Sequence, residues 1–433
     1  MDVRKRSSVS STRFHFPPQP VVLAARKHKD SGDVEYVSLK TLIESRCPSL
    51  FTAYRPTWWL FNGHLQSLHN VYGNFSKTNR VGYRRQLIRL IDGGTIGLDF
   101  SPEDSSQMAD DTPIVVVQTG LTGGSHEPYV RAILAPACTP VQNGGLGYRA
   151  VVVTFRGCAG VPVTSPRLYT AGHTDDLRQA LIYISNKYPR APLLGLGFSL
   201  GANIMTRYLG EEGDRSRLSS ALVVSCPWDM EKNGYSLVRT FLGRNLWARG
   251  MGWSLYGLVK RHKQALSADP NHPVAKALPS TLALRHPRMH EFDAAFTKDV
   301  GDTEPPFPFP TVAEYYRWAS SDRSIKDIKV PFMAINSADD PVVTSSPIDG
   351  GGNPNVVMVL TRHGGHIGWF STGIDRWTTK PVIEWLGLMG KEVIDETRTT
   401  STTVYVDESG YLKEMDKVDL GCKEIDSDGG LID

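Results

Sequence analysis

The apolar positions of this chain fall into two textures. Short, nearly unbroken runs rich in β-branched residues read as strands buried on both faces: TPIVVVQT (112–119), RAVVVTF (149–155), PLLGLGF (192–198), SSALVVS (219–225), KVPFMAIN (329–336) and NVVMVL (355–360). Between several of them stand stretches with helical spacing, notably 173–188 and the run that follows Ser199. Strand–helix–strand alternation predicts an α/β fold with a mostly parallel central sheet flanked by helices. Ahead of it, RRQLIRLIDGGTIGLDF (84–100) alternates on both sides of Asp92-Gly93-Gly94, which predicts a hairpin. A last helix is predicted over 380–388.

The pattern breaks after Pro227. Residues 227–320 carry aromatic and basic helical stretches (WARGMGWSLYGLVKRHKQAL) and a proline-rich segment (EPPFPFP), with no clear buried strand. Ligands of such sheets bind outside the carboxyl ends of the strands, so this insertion is expected to be a helical lid. Residues 50–395 are then one α/β domain containing that lid. Residues 1–49 are expected to form a mobile arm, and the acidic tail 396–433 to be poorly ordered. The segment 56–68 is dense in aromatics and is expected to seal one side of the core, with His64 and Gln66 as satisfied polar groups.

The segment GFSLG (197–201) changes the picture from fold to chemistry. A serine on a sharp strand-to-helix turn lifts its oxygen clear of the sheet, and flanking glycines avoid collisions there. The Leu200 amide opens the following helix and faces developing negative charge. A serine hydroxyl also needs a general base and an orienting carboxylate. Two later strand ends supply them: Asp339-Asp340-Pro341 after KVPFMAIN, and His363-Gly364-Gly365-His366 after NVVMVL. The order Ser, Asp, His is that of the α/β-hydrolases. His366, behind two glycines, is favoured over His363. Asp340, before proline, is favoured over Asp339, which is expected to bond the loop backbone. His64, His126 and His173 read as structural. The Gly-rich loop 120–125 offers Leu121 N–H as a second oxyanion donor.

Composition narrows the rest. The chain has 433 residues, 40% hydrophobic and 21% charged, with a net charge of +3. That balance argues for a globular protein and against nucleic acid as a partner. Five scattered cysteines without a C-x-x-C pair fit a reducing compartment and neither a disulfide framework nor a zinc site. No run is long enough to span a bilayer, and the basic N-terminus lacks an apolar signal core. An intracellular, cytoplasmic location is expected, with the lid able to rest on lipid. No metal or organic cofactor is expected, because Asp175-Asp176 and Asp339-Asp340 are explained by capping and by the triad.

Several segments together carry a family resemblance: NGHLQS (62–67), DGGTIGLDF (92–100), GLTGGSHEPYVR (120–131), FRGCAGVPVTSPRLYTAGHTDDLR (155–178), GFSLGANIMTRYLGEEG (197–213), NSADDPVV (336–343) and HGGHIGWF (363–370). The chain resembles the abhydrolase-type α/β-hydrolases, which include plant embryogenesis-associated proteins, animal abhydrolase-domain lipases and yeast medium-chain fatty acid ethyl ester synthase/esterases. The resemblance implies a triad of Ser199, Asp340 and His366. It also implies action on acyl esters or acyl thioesters, with lipid, medium-chain fatty acyl or acyl-CoA substrates. Water or an alcohol acceptor could take the acyl group, making the protein a serine esterase, a lipase or an acyltransferase. A tailoring enzyme of a polyketide-type metabolite and a non-catalytic ligand-binding protein on the same scaffold are the rivals. Thr119 stands where many hydrolases have histidine, and the N-terminal membrane anchor of some animal relatives has no counterpart in this sequence.

Overall fold

The protein is described by a computed structural model over residues 12–27, 32–302, 304–395 and 403–426. Among the described residues, twelve strands form one sheet and two more form a separate hairpin. In chain order they are β1 (Arg13–His15), β2 (Val22–Arg26), β3 (Val34–Ser38), β4 (Arg84–Leu90), β5 (Thr95–Ser101), β6 (Ile114–Gln118), β7 (Arg149–Thr154), β8 (Leu193–Phe198), β9 (Ser220–Val224), β10 (Phe332–Ser337), β11 (Val356–Thr361), β12 (Val404–Val406), β13 (Leu412–Glu414) and β14 (Lys417–Ile425). The large sheet runs β1-β11-β10-β9-β8-β6-β7-β5-β4-β14-β13-β12. Its centre, β7-β6-β8-β9-β10-β11, is parallel. Those strands are buried on both faces, which is why their sequences are continuous apolar runs. β4 and β5 are the antiparallel hairpin of the Asp-Gly turn, with Gly93 at φ 78°.

One face of the sheet is covered by the helices Asp175–Lys187 and Leu200–Glu212, the other by Leu39–Arg46, Pro128–Cys138 and Thr379–Gly387. The insertion follows β9 and holds the helices Met230–Arg239, Ala248–Arg261, Pro273–Leu282 and Val312–Ala319. It begins at the carboxyl end of a central strand, so it lies over that end of the sheet. Asn203 pins it to the body, donating from Nδ2 to the carbonyls of Ala171 at 2.9 Å and Ala319 at 2.8 Å.

Three expectations are corrected. The arm 1–49 is not a loose lead-in over its described residues. β1 pairs with β11 at the sheet edge, β2 pairs with β3, and Leu39, Leu42 and Ile43 are buried in the core. Residues 1–11 lie outside the described residues. The tail is also structured over 403–426: β14 pairs with β4, and Cys422 and Leu412 are buried. The tail's acidity hid this, because Glu414 is buried against Arg217 and Lys417 rather than exposed. Residues 396–402 and 427–433 lie outside the described residues. Finally, most of the aromatics of 56–68 do not seal the core. Trp58 and Phe61 are exposed, and the helix there starts only at Gly63 (Gly63–Tyr72).

Candidate active site

β8 ends at Phe198, and the chain turns at Ser199 directly into the helix Leu200–Glu212. Ser199 sits at φ 50°, ψ −117°, a strained conformation for a residue with a side chain. The flanking glycines make the turn possible. A Cβ on Gly197 would stand 2.7 Å from the Ala202 Cα, and one on Gly201 would stand 2.4 Å from the Gln118 carbonyl oxygen. A serine at a helix start usually caps the helix with its own oxygen. Ser199 does not, and its Oγ lies 2.7 Å from His366 Nε2.

His366 comes from the loop after β11. Its Nδ1 lies 2.9 Å from Asp340 Oδ2, on the loop after β10. The Asp340 side chain is fully buried, and its Oδ1 accepts the amides of Val342 at 2.8 Å and Val343 at 2.9 Å. Two neighbours fix the histidine loop. The His366 amide donates to Ser67 Oγ at 2.7 Å, and the Ile367 amide donates to Ser225 Oγ at 3.1 Å. Ser67 in turn donates to the Gly63 carbonyl at 2.7 Å. Gln66 holds the next strand of the loop, accepting the Phe370 amide at 2.7 Å.

His363 and Asp339 form a second pair at 2.9 Å, away from Ser199, and Asp339 also accepts the Gly365 amide at 3.0 Å. The other three histidines that the sequence singles out lie elsewhere. His64 accepts from the Trp247 indole at 2.9 Å, His173 faces Asp302 at 3.1 Å, and His126 is exposed.

The loop after β6 runs beside Ser199. Two tyrosines, Tyr129 buried and Tyr169 half-buried, hold its ends: Tyr129 Oη accepts the Gly120 amide at 3.1 Å, and Tyr169 Oη accepts the Thr122 amide at 3.1 Å. Burial pushes both phenols well up, so both stay protonated. The Leu121 amide between them, and the Leu200 amide at the helix start, donate to no protein acceptor among the described residues. Two unspent donors therefore flank the serine.

Residues 119–377 match the alpha/beta hydrolase family. The chain belongs to this family. Similar proteins include "Monoacylglycerol lipase" of Saccharomyces cerevisiae, 30% identical and matched over 87% of this chain and 90% of its own. "Phospholipase ABHD3" of Homo sapiens is 31% identical, with 77% of each chain covered. "Medium-chain fatty acid ethyl ester synthase/esterase 2" of Saccharomyces cerevisiae is 29% identical over 75% of this chain and 83% of its own.

In this hydrolase, Ser199 stands where two cavities meet, and Leu121, Met251 and Val342 are shared between them. One is an apolar cavity under the insertion, walled by Leu200, Leu237, Leu255 and Met289. The other is a larger, open cleft bordered by Asn70, Glu127, Arg131 and Trp247. Glu127 is half-buried there, and burial raises its carboxyl to about 7. Beside it, burial brings the Arg376 guanidinium down to about 9, where it stacks 4.3 Å from the Phe370 ring. Sequence reasoning missed Ser67, Ser225, Tyr129 and Tyr169, which hold the His366 loop and the Gly120–Thr122 loop in place. The only sequence signal of Ser67, Tyr129 and Tyr169 is membership of the segments NGHLQS, GLTGGSHEPYVR and RLYTAGHTDD, and that of Ser225 is its place at the end of the run SSALVVS. Among the described residues no helix is long and apolar enough to cross a membrane, and no cluster of side chains could hold a metal.

Proposed function

We propose that the protein is a serine hydrolase of acyl esters, working through an acyl-serine on Ser199. One observation carries this: Ser199 Oγ lies 2.7 Å from His366 Nε2, whose other nitrogen lies 2.9 Å from the buried Asp340 carboxylate. His366 takes the serine proton as Oγ attacks the ester carbonyl, and Asp340 steadies the imidazolium that results. The Leu121 and Leu200 amides receive the charge that develops on the carbonyl oxygen. The imidazolium then hands its proton to the departing alkoxide. Water repeats the sequence on the acyl-serine, releases the acid and restores Ser199. The acyl chain occupies the apolar cavity, and the leaving group exits through the open cleft. The lipase and esterase names of the relatives support acyl esters as the substrate class, including medium-chain fatty acyl and lipid esters.

A second outcome, O-acyl transfer, is favoured by the open cleft beside Ser199, where Glu127 and Asn70 offer polar contacts to an alcohol acceptor. One experiment tests both. The purified protein is given a medium-chain acyl ester or acyl thioester in water with and without a short alcohol, and acid and ester are quantified alongside Ser199→Ala. Acid release that the variant lacks supports hydrolysis, and new ester supports transfer. A protein that neither turns over these substrates nor labels at Ser199 with a fluorophosphonate is not a serine hydrolase.

A further inference from the structure

Among the polar side chains that line the apolar cavity, Asp293 and Asn233 have no part in the chemistry above and carry the strongest unmet hydrogen-bonding capacity. Asp293 opens a π-helical turn, Asp293–Thr297, a rare geometry that recurs at functional sites. The residue is 4% exposed, and its carboxylate accepts hydrogen bonds from Thr297 Oγ1 and the Tyr316 hydroxyl, each at 2.6 Å. Among the described residues no cation pairs with it, and burial raises its pKa to about 6. Each carboxylate oxygen accepts one hydrogen bond and keeps a lone pair to spare, in a cavity whose walls are mainly apolar.

Asn233 is 5% exposed, on the helix Met230–Arg239. Its Oδ1 accepts the amides of Thr344 at 3.0 Å and Ser345 at 3.2 Å, and the Thr344 hydroxyl at 3.2 Å. Two of these donors are backbone N–H groups, which fixes the orientation of the side-chain amide. Its Nδ2 then turns away from them, and it is buried with no partner among the described residues. A buried unpartnered donor is costly and in native structures calls for an explanation.

A plain hydrocarbon chain would leave both groups as they are. An ammonium would suit Asp293 but be opposed by the Asn233 donor. A hydroxyl, both donor and acceptor, suits both. We propose that the apolar cavity receives acyl chains bearing hydroxyl groups away from the ester, the hydroxyls donating to Asp293 and accepting from Asn233 Nδ2. This rests on the acyl-serine chemistry proposed above for the placement of the chain, while the binding itself can be measured without turnover.

The test uses nitrophenyl esters of one medium-chain acid, unsubstituted, hydroxylated at successive carbons, or carrying a terminal amine. At one or more hydroxyl positions kcat/KM is expected to exceed that of the plain chain by about tenfold or more, since sites built to bond a hydroxyl reject chains without it. Asp293→Asn and Asn233→Asp each shrink that ratio towards one. Asn233→Asp keeps the acceptor for the Thr344 and Ser345 amides while removing the donor. Independently, Ser199→Ala protein is titrated calorimetrically with the matching free acids, and the favoured hydroxy acid binds more tightly than the plain one. Equal kcat/KM across the series, or preference for the amine, overturns the inference and leaves the ester-hydrolase proposal standing. If no ester is turned over, that proposal fails, and the calorimetric comparison alone upholds or overturns the cavity's preference. Variants that weaken all chains equally, with a lowered melting temperature, show Asp293 and Asn233 to be structural only and also overturn it.

Discussion

His366–Asp340 and His363–Asp339 are the same chemical pair, drawn from the same two loops, with the same Nδ1···Oδ2 separation of 2.9 Å. They differ in what surrounds them. The Asp340 side chain is fully buried, and its second oxygen is fixed by two amides. The Asp339 and His363 side chains are 24% and 28% exposed. Asp339 spends its second oxygen on the Gly365 amide and the Ser337 hydroxyl. The outer pair thus ties the β10 and β11 loops together, and the inner pair is turned on Ser199. Direction, set by the Gly364-Gly365 turn and by Ser67 and Ser225, separates a catalytic assignment from a structural one.

The comparison breaks most visibly at the nucleophile. Ser199→Ala is expected to lower kcat for ester hydrolysis by about 10⁵-fold or more, and to abolish fluorophosphonate labelling, while the melting temperature holds. Asp340→Asn should lower kcat by about 10⁴-fold, because the amide no longer selects the right imidazole tautomer. An equal loss in Asp339→Asn would undo the distinction between the pairs. Ser67→Ala releases the His366 amide and should cost about tenfold to a hundredfold in kcat, since a small displacement of the base is enough. Its KM should hold, and a changed KM with an unchanged kcat would remove Ser67 from the positioning of His366.

A carboxyl outside both pairs gives a smaller effect. Asp293 rises from 3.8 to about 6 on folding, so between these values the folded state keeps a proton that the unfolded chain loses. Stability should therefore fall as pH rises from 3.8 towards 6, by about 2 kcal/mol from this group. Asp293→Asn should flatten that part of the profile, read by denaturant melts at each pH. His363→Ala is the mildest change. It removes a partly exposed ion pair worth at most about 1 kcal/mol. Its kcat should stay within about twofold, the counterpart that makes the inner pair's loss meaningful.

The chain's own order of residues determined a good deal. Continuous β-branched runs can only be strands buried on both faces, and they mark the parallel centre of the sheet. The Gly-x-Ser-x-Gly turn between a strand and a helix locates the strained serine, because glycine is required on both sides at any such crossing. Carboxylates and histidines directly after two later strands had to arrive at the same end of the sheet. The break in the pattern after Pro227 is the helical insertion that roofs the apolar cavity. These are local properties, carried by neighbours in sequence.

Tertiary structure alone decided the rest. β1, at one edge, and β14, between β4 and β13, join the sheet through pairing with residues hundreds of positions away, and their half-polar, partly buried sequences hide that. Tyr129, nine positions on, and Tyr169, 47 positions on, became the supports of the loop around the Leu121 amide through contacts that no spacing announces. Asp293 and Asn233 lie 60 positions apart in the chain and meet only in the wall of one cavity. That Asp339 pairs with His363 to tie the same two loops together is set by how those loops pack on each other. That packing is a sum over many distant contacts, so it exists in the folded molecule and nowhere in the string of residues.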